Sequence, residues 1–246
     1  MRIYSDLAPW FHLLTAPSEY VDEAAEHIRL IRLLGTNPET LLELGSGGGN
    51  NASYLKAEFT CTLSDLSPEM LALSRTINPD LEHIQGDMRS LRLGRTFDAV
   101  FIHDAIEYML SEADLCAAIR TAFAHVQPGG VAVFVPDTRL ETLAPVTDHG
   151  GHDGDDGRSM RYLEWVTDPD PTDTTYDVDF AFLLREADGT IRVVHDHHTN
   201  GVFPEASWFR LLQDAGFVDA KLERITTTDE LVEDWAGFVA RRPVGG

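Results

Sequence analysis

Four acidic residues and one histidine stand where apolar runs of this chain end. Glu43 precedes the run Gly45-Ser46-Gly47-Gly48-Gly49, Asp65 closes Phe59–Leu63, Asp87 follows His83–Gln85, and His103 with Asp104 ends Phe97–Ile102. In a doubly wound sheet the carboxyl ends of the strands share one edge, so such residues converge on one ligand. Glycines after a strand remove side chains, and the helix that restarts at Asn50 presents free N–H groups; together they make a cradle for a phosphate or an adenosyl group. An acid about 20 residues beyond such a turn is placed to accept from ribose hydroxyls. His103 and Asp104 offer a base or an orienting pair for a second reactant.

Spacing separates the adenosyl ligands. A dinucleotide fingerprint, G-x-G-x-x-G, needs a third glycine where Asn50 stands. The segment Glu43-Leu44-Gly45-Ser46-Gly47-Gly48-Gly49 resembles instead motif I of the class I S-adenosylmethionine (AdoMet)-dependent methyltransferases, (E/D)-x-G-x-G-x-G. The stretch from Asp65 to Leu71 resembles the D-x-S-x-x-M-L pattern of that family, and Gly86-Asp87-Met88 its adenine-contacting segment. Phe97-Asp98-Ala99-Val100 resembles its F-D-x-V strand, and Val126-Gln127-Pro128-Gly129-Gly130 its L-x-P-G-G turn. The resemblance implies AdoMet as cofactor and S-adenosylhomocysteine as product. It implies cofactor contacts at Glu43, Gly45, Ser46, Gly47, Gly49, Asp65, Leu66, Met70, Asp87, Met88 and His103. Asp65 keeps a plainer reading as a loop acid, because Ser67 and Pro68 suffice to start a helix.

The elements that must position these residues alternate as strands and helices up to Val135, which predicts an α/β fold. The expected architecture is a Rossmann-like, seven-stranded, mostly parallel sheet with helices on both faces and a small antiparallel β insertion. Residues 1–36 are expected as an N-terminal helical lid, 37–140 with 204–246 as the core, and 141–203 as a loop and insertion over the active site. Within the lid, Tyr20–Leu34 has apolar positions Val21, Ala24, Ala25, Ile28, Ile31 and Leu34 at helical spacing. Asp148–Gly157 reads as a glycine- and acid-rich loop, followed by β-like runs Met160–Thr167, Thr175–Arg185 and Thr190–Gly201. Ala187-Asp188-Gly189 joins the last two as a hairpin. Pro204–Ala215 is a helix stopped at Gly216, and Phe217–Glu223 with Trp235–Ala240 closes the sheet. The layout is similar to bacterial aminosugar N-methyltransferases and to glycine/sarcosine-type N-methyltransferases.

An acceptor pocket is expected between the lid, the 103–108 loop and the insertion, reached by Tyr4, Trp10, Tyr108 and His197, with His103 and Asp104 catalytic. The activity expected is in-line transfer of a methyl to N or O of a small molecule. An NAD(P)-binding oxidoreductase and an AdoMet-binding module without turnover remain alternatives. No metal site is assigned, because His149, His152 and the acids around them lack a ligand spacing. Nineteen Lys and Arg against forty-one Asp and Glu give a formal net charge of −22, which disfavours nucleic acid. No apolar run suits a membrane span and no signal peptide is evident. Cys61 and Cys116 read as free thiols, as in a reducing cytoplasm. The partner expected is a small-molecule acceptor, with a homodimer allowed.

Overall fold

Short apolar strands that alternate with helices pair through crossovers, so their sheet is parallel and covered on both faces. The computed structural model describes residues 1–34, 37–226 and 235–245. Its first five strands are β1 (Thr40–Leu44), β2 (Thr60–Asp65), β3 (Glu82–Gln85), β4 (Phe97–Ile102) and β5 (Val126–Phe134), all parallel. Next come β6 (Val146–Gly150), β7 (Ser159–Thr167), β8 (Thr175–Arg185) and β9 (Ile191–Gly201), an antiparallel sheet of their own. The chain then returns through β10 (Val218–Arg224) and β11 (Ala236–Arg241). The large sheet has the order β10-β11-β5-β4-β1-β2-β3, with β11 antiparallel to both neighbours. The expected seven-stranded, mostly parallel sheet is therefore present. Strand order reverses direction between β1 and β4, and the crevice there is where open α/β sheets bind ligands.

Both faces of the sheet are apolar. Leu42, Leu44, Val100, Ile102 and Phe134 pack with Leu115, Ile119, Trp208 and Leu212, whereas Leu41, Phe101, Val131 and Val133 pack with Leu30, Ile31 and Leu55. Asp98 fixes the start of β1 against β4, accepting from the amides of Glu39 and Thr40 and from the Thr40 hydroxyl. Trp208 belongs to the helix Glu205–Ala215, which ends on Gly216 in the left-handed region at φ 101°.

Two sequence expectations need correction. The helix Val21–Arg32 buries Ala24, His27, Leu30 and Ile31, while Val21 and Ala25 are exposed. Apolar periodicity misjudged its phase because a buried polar residue, His27, lies in the stripe. The stretch expected as a loop from Asp148 begins as part of β6, paired with β7 at Asp148↔Glu164 and His149↔Leu163.

The small sheet packs against the N-terminal segment and the loop that follows β4. Its inner face, with Met160, Phe182, Leu184 and Val194, packs on Ile3, Leu7 and Trp10 of the N-terminal segment. At Gly201, the last residue of β9, a β-carbon would lie 2.0 Å from the carbonyl oxygen of Met109, in the loop that follows β4. Backbone meets backbone there, so no rotamer change can relieve the clash. Gly201→Ala should cost about 1–3 kcal/mol of unfolding free energy, the range for overpacking, read by urea denaturation; a variant as stable as the parent would show that the approach is not tight.

Candidate active site

A cavity of about 490 Å³ opens at the β1/β4 crevice. The turn after β1 supplies its floor. Gly45, Gly47 and Gly49 have φ values of 75°, 52° and 79°, a region that L side chains rarely adopt. Their surroundings separate their roles. A β-carbon on Gly45 would lie 2.3 Å from the Ala105 β-carbon, and one on Gly49 would lie 2.2 Å from Ser74 Oγ. On Gly47 the nearest atom would be 3.8 Å away, on Met70, so that glycine leaves open space in the cavity wall.

Asp65, at the end of β2, ties this turn to the helix Pro68–Ile77. One carboxylate oxygen accepts from the Gly47 amide and the other from the Ser67 amide, both at 2.8 Å. Burial raises its pKa, and these backbone donors pull it back. Each oxygen keeps a lone pair for a ligand hydroxyl. Leu66 is 64% exposed although it lines the cavity, and Met88 lies in the same wall. Asp87 is also in the wall, bound by Arg89 at 2.7 Å, and that partner holds its carboxyl below the usual range. Glu43 is 2% exposed and its Oε2 has no hydrogen-bond partner. Burial pushes its pKa up to about 8.

The carboxyl end of β4 carries the densest charge. His103 Nε2 lies 2.7 Å from Asp104 Oδ1 and 3.4 Å from Glu23 Oε1, while Nδ1 contacts the Asn51 side-chain amide at 3.3 Å. An Asp137 carboxylate oxygen joins His103 and Asp104 within 4.8 Å. Burial alone would lower the His103 pKa, yet Asp104, Glu23 and Glu43 raise it to about 9. Burial would likewise raise Asp104, and His103 holds it down instead. The carboxylates around His103 thus favour the protonated imidazole, and that charge in turn favours ionised Asp104. His27 lies behind it, ring to ring at 4.9 Å, and burial and the neighbouring imidazolium keep it neutral.

The N-terminal segment roofs the cavity. Ser67 Oγ donates to the Tyr4 carbonyl at 2.6 Å, and the Ile3 amide donates to Asp196 Oδ2 at 2.9 Å. The Tyr108 hydroxyl donates to that of Tyr4 at 2.8 Å and meets His198 Nδ1 at 3.2 Å.

The cavity thus brings together Glu43, Gly45, Ser46, Gly47, Asp65, Leu66, Asp87, Met88, His103, Asp104, Tyr4 and Tyr108. Four expected residues are not in its wall. Met70 is fully buried beneath Gly47, and Gly49 serves close packing on Ser74 and Asn78. Trp10 is buried in the roof, under the guanidinium of Arg158. His197 faces outward, 3.1 Å from Asp179. Its neighbour His198 faces inward, because β8 and β9 pair Val178 with His198 and Asp179 with His197. The apolar positions Val178, Phe180 and Phe182 set the inner face, and counting across the hairpin would have identified His198. Sequence reasoning also missed Tyr20, Asn50 and Asn51 in the wall and Glu23 beside His103. Tyr20, Glu23 and His27 repeat at helical spacing, a polar signal within an apolar stripe.

These residues fit AdoMet. Gly47 leaves the space a ligand chain needs, Asp65 offers acceptors for a diol, and Leu66 with Met88 offers apolar surface for a base. The unpartnered Glu43 Oε2 suits an ammonium. Gly47→Val, measured by calorimetry, should abolish AdoMet binding by filling the cavity; because φ at this position is 52°, the variant also carries backbone strain of about 1–2 kcal/mol, read by urea denaturation. Asp65→Ala should weaken binding by about 1.5–3 kcal/mol. Unchanged affinity in both variants would contradict this assignment. Glu43 makes a separate prediction about stability. Its folded pKa near 8 lies above the ordinary 4.5, so its contribution is full below 4.5 and lost as pH rises through 8. Glu43→Gln should therefore flatten the decline in Tm of the ligand-free protein between pH 5 and 9, by at least about 2 °C at the alkaline end. An equal decline in both proteins would show that Glu43 ionises without penalty.

Comparison with known proteins agrees with this geometry. Residues 41–130 match a family model described as a methyltransferase domain. A Streptomyces venezuelae protein named dTDP-3-amino-3,4,6-trideoxy-alpha-D-glucopyranose N,N-dimethyltransferase is 35% identical over 128 residues, 51% of this chain and 54% of that protein. The chain aligns with about half the length of the curated relatives it matches first. The crystal structure of Streptomyces venezuelae DesVI superposes with a TM-score of 0.82 at 25% identity, covering 96% of this chain and 98% of that one. A SAM-bound amino pentose methyltransferase from Micromonospora echinaspora gives 0.76 at 27% identity, with 91% of each chain covered. Residues 41–130 thus match a methyltransferase domain, and the chain is similar to the class I S-adenosylmethionine-dependent methyltransferases and, within them, to the aminosugar N-methyltransferases.

Proposed function

We propose that this protein transfers a methyl group from AdoMet to the nitrogen of a small amine. One observation carries the proposal: the glycine cradle and the carboxylate cluster around His103 open into the same cavity. The cofactor reading is supported by the fit of Glu43, Gly47, Asp65, Leu66 and Met88, and by the SAM-bound relative. The choice of nitrogen is supported by the names of the relatives and by the acidity of the site. Residues 1–36 act as a lid over the cofactor, and the small sheet, within residues 141–203, shapes the acceptor side. No helix among the described residues is long and apolar enough to cross a membrane.

When bound, AdoMet supplies a sulfonium-activated methyl, so the chain has no electrophile to build. What it must supply is position and a place for a proton, because an ammonium has no lone pair to attack with. At neutral pH His103 already carries its proton and is no base. Instead its charge keeps Asp104 ionised at the mouth of β4. Asp137, exposed but with a carboxylate oxygen within 4.8 Å of His103 and Asp104, is raised above the usual carboxylate range by the negative charge of Asp104 and serves as the proton acceptor in this reading. Tyr4 and Tyr108, hydrogen-bonded to each other, close the pocket against water.

Turnover of AdoMet with a panel of amines, alcohols and carboxylates tests the proposal, which predicts methylated amines alone. Asp137→Asn should lower kcat about 100-fold with little change in AdoMet Kd. In His103→Gln the acid limb of the pH–rate profile should move to higher pH, because Asp104 loses the cation that depresses its pKa. Full kcat in the first variant, or an unmoved limb in the second, would remove these roles.

A further inference from the structure

Alternation along β9 buries Val194, Asp196, His198 and Asn200 on one face. An acid and an imidazole on a face that also carries Val194 are tolerated only if paired, and they are. His198 Nε2 lies 3.2 Å from Asp196 Oδ2, and each residue is 4% exposed. Asp196 Oδ2 also accepts from the Ile3 amide, so the N-terminal segment helps to fix it. The other ring nitrogen, Nδ1, lies 3.2 Å from the Tyr108 hydroxyl, whose oxygen is 2.8 Å from that of Tyr4. Asp196, His198, Tyr108 and Tyr4 thus form one chain, and its last two members line the cavity.

Such a chain has a direction. Burial pushes both phenols up, so each hydroxyl keeps one proton and donates it to one partner. The Asp196 carboxylate needs a donor, which places the proton of neutral His198 on Nε2 and leaves Nδ1 an acceptor. Tyr108 then donates to His198 rather than leave that buried nitrogen unsatisfied, and Tyr4 donates to Tyr108. The lone pairs of Tyr4 remain for the cavity. Protonation of Nδ1 reverses every link: His198 donates to Tyr108, Tyr108 donates to Tyr4, and the Tyr4 proton turns to the cavity. The two phenol oxygens are the same 2.8 Å apart in either direction. His198 faces Asp196 and His197 on its own strand, Tyr108 beyond β4, and Tyr4 and the Met1 ammonium on the N-terminal segment; Arg2 acts on Asp196, and β8 contributes the Phe180 ring at 5.2 Å. Burial, the Met1 ammonium and His197 lower its pKa against the pull of Asp196, which favours the neutral ring.

Resting on the amine methyltransferase reading above, we propose that His198, oriented by Asp196, is a positioning residue that sets the direction of this chain, so that Tyr4 turns a lone pair and not a proton toward the acceptor nitrogen. An ammonium brings donors and needs an acceptor. A Tyr4 proton in that place would oppose the ammonium, and in a neutral amine it would occupy the lone pair that has to attack. His198 takes no proton from the substrate; that role stays with Asp137. Amine binding and protonation of His198 therefore oppose each other, and by linkage a bound amine lowers the His198 midpoint.

The test follows the His198 ring nitrogens by NMR in isotopically labelled protein saturated with S-adenosylhomocysteine. Titrations are run with and without a saturating methyl glycoside of an amino sugar, in the parent and in Tyr108→Phe. Without the amine, at mildly alkaline pH, Nε2 should carry the proton and Nδ1 none. The amine should lower the midpoint in the parent by about 0.5–1 pH unit more than in Tyr108→Phe, the worth of one hydrogen bond. The variant cuts the chain but leaves the charge of the bound amine unchanged, so it separates the chain from simple repulsion. Should Tyr108→Phe fail to fold, Tyr4→Phe cuts the chain at its cavity end and serves as the same control. Equal lowering in parent and variant, or a proton on Nδ1 in the amine-free protein, would overturn the proposal. Failure of the amine to bind, read by calorimetry, would instead remove the amine reading, and the amine-free protonation of the ring would still decide the direction of the chain.

Discussion

A buried imidazolium at the end of β4 is the contact on which the rest of the site depends. His103 sits among Asp104, Glu23 and Glu43, and without its charge the carboxylate of Asp104 would face Glu23 and Glu43, both raised by burial, with no cation between them. The Asp104 side chain is 42% exposed, so solvent screens part of this pair and its loss costs less than the roughly 3–5 kcal/mol of a fully buried one. The arrangement fixes several elements at once. Glu23 comes from the helix Val21–Arg32, Glu43 from β1 and His103 from β4. The helix in front of the sheet is thereby held to the strands that flank the switch point. His27 and Trp235 complete the packing around the ring, at centroid distances of 4.9 and 5.9 Å.

The roof answers a different constraint. A cavity open along the whole carboxyl edge would leave its charges in high dielectric, where they do little. The small sheet prevents this by binding the N-terminal segment on its apolar face, through Ile3, Leu7 and Trp10, and presenting Tyr4 over the opening. Hydrogen bonds tie that segment to both the large-sheet core and the small sheet: Ile3 N–H to Asp196, Ser67 to the Tyr4 carbonyl, Tyr108 to Tyr4, Asn50 to the Thr15 carbonyl and the His152 amide to the Leu13 carbonyl.

Much of the fold was legible because its signals are local. The β4 strand could be placed from Phe97-Asp98-Ala99-Val100 alone, and Asp98 proves to anchor Thr40 of β1. The carboxylates at strand ends could also be read, since strand ends converge whatever the side-chain packing. What escaped was non-local. Gly47 and Gly49 look alike in sequence, yet one faces open space and the other faces Ser74. His197 and His198 differ by one residue, and only the register with β8 decides which faces inward. Glu23 and His27 were hidden because hydrophobic periodicity treats a buried polar residue as noise. Their burial makes sense only once His103 is known to lie opposite.

The charge state of His103 is the most direct test of this account. Its imidazole can be titrated by NMR, following the ring protons of the isotopically labelled ligand-free protein from pH 5 to 10. The account predicts a midpoint near 9, well above the ordinary 6.5, that falls when Asp104 is replaced by Asn. A midpoint below 6.5 would mean that burial outweighs the carboxylates and His103 is neutral at the working pH. That result would contradict the ion-paired cluster and return His103 to the role of a base.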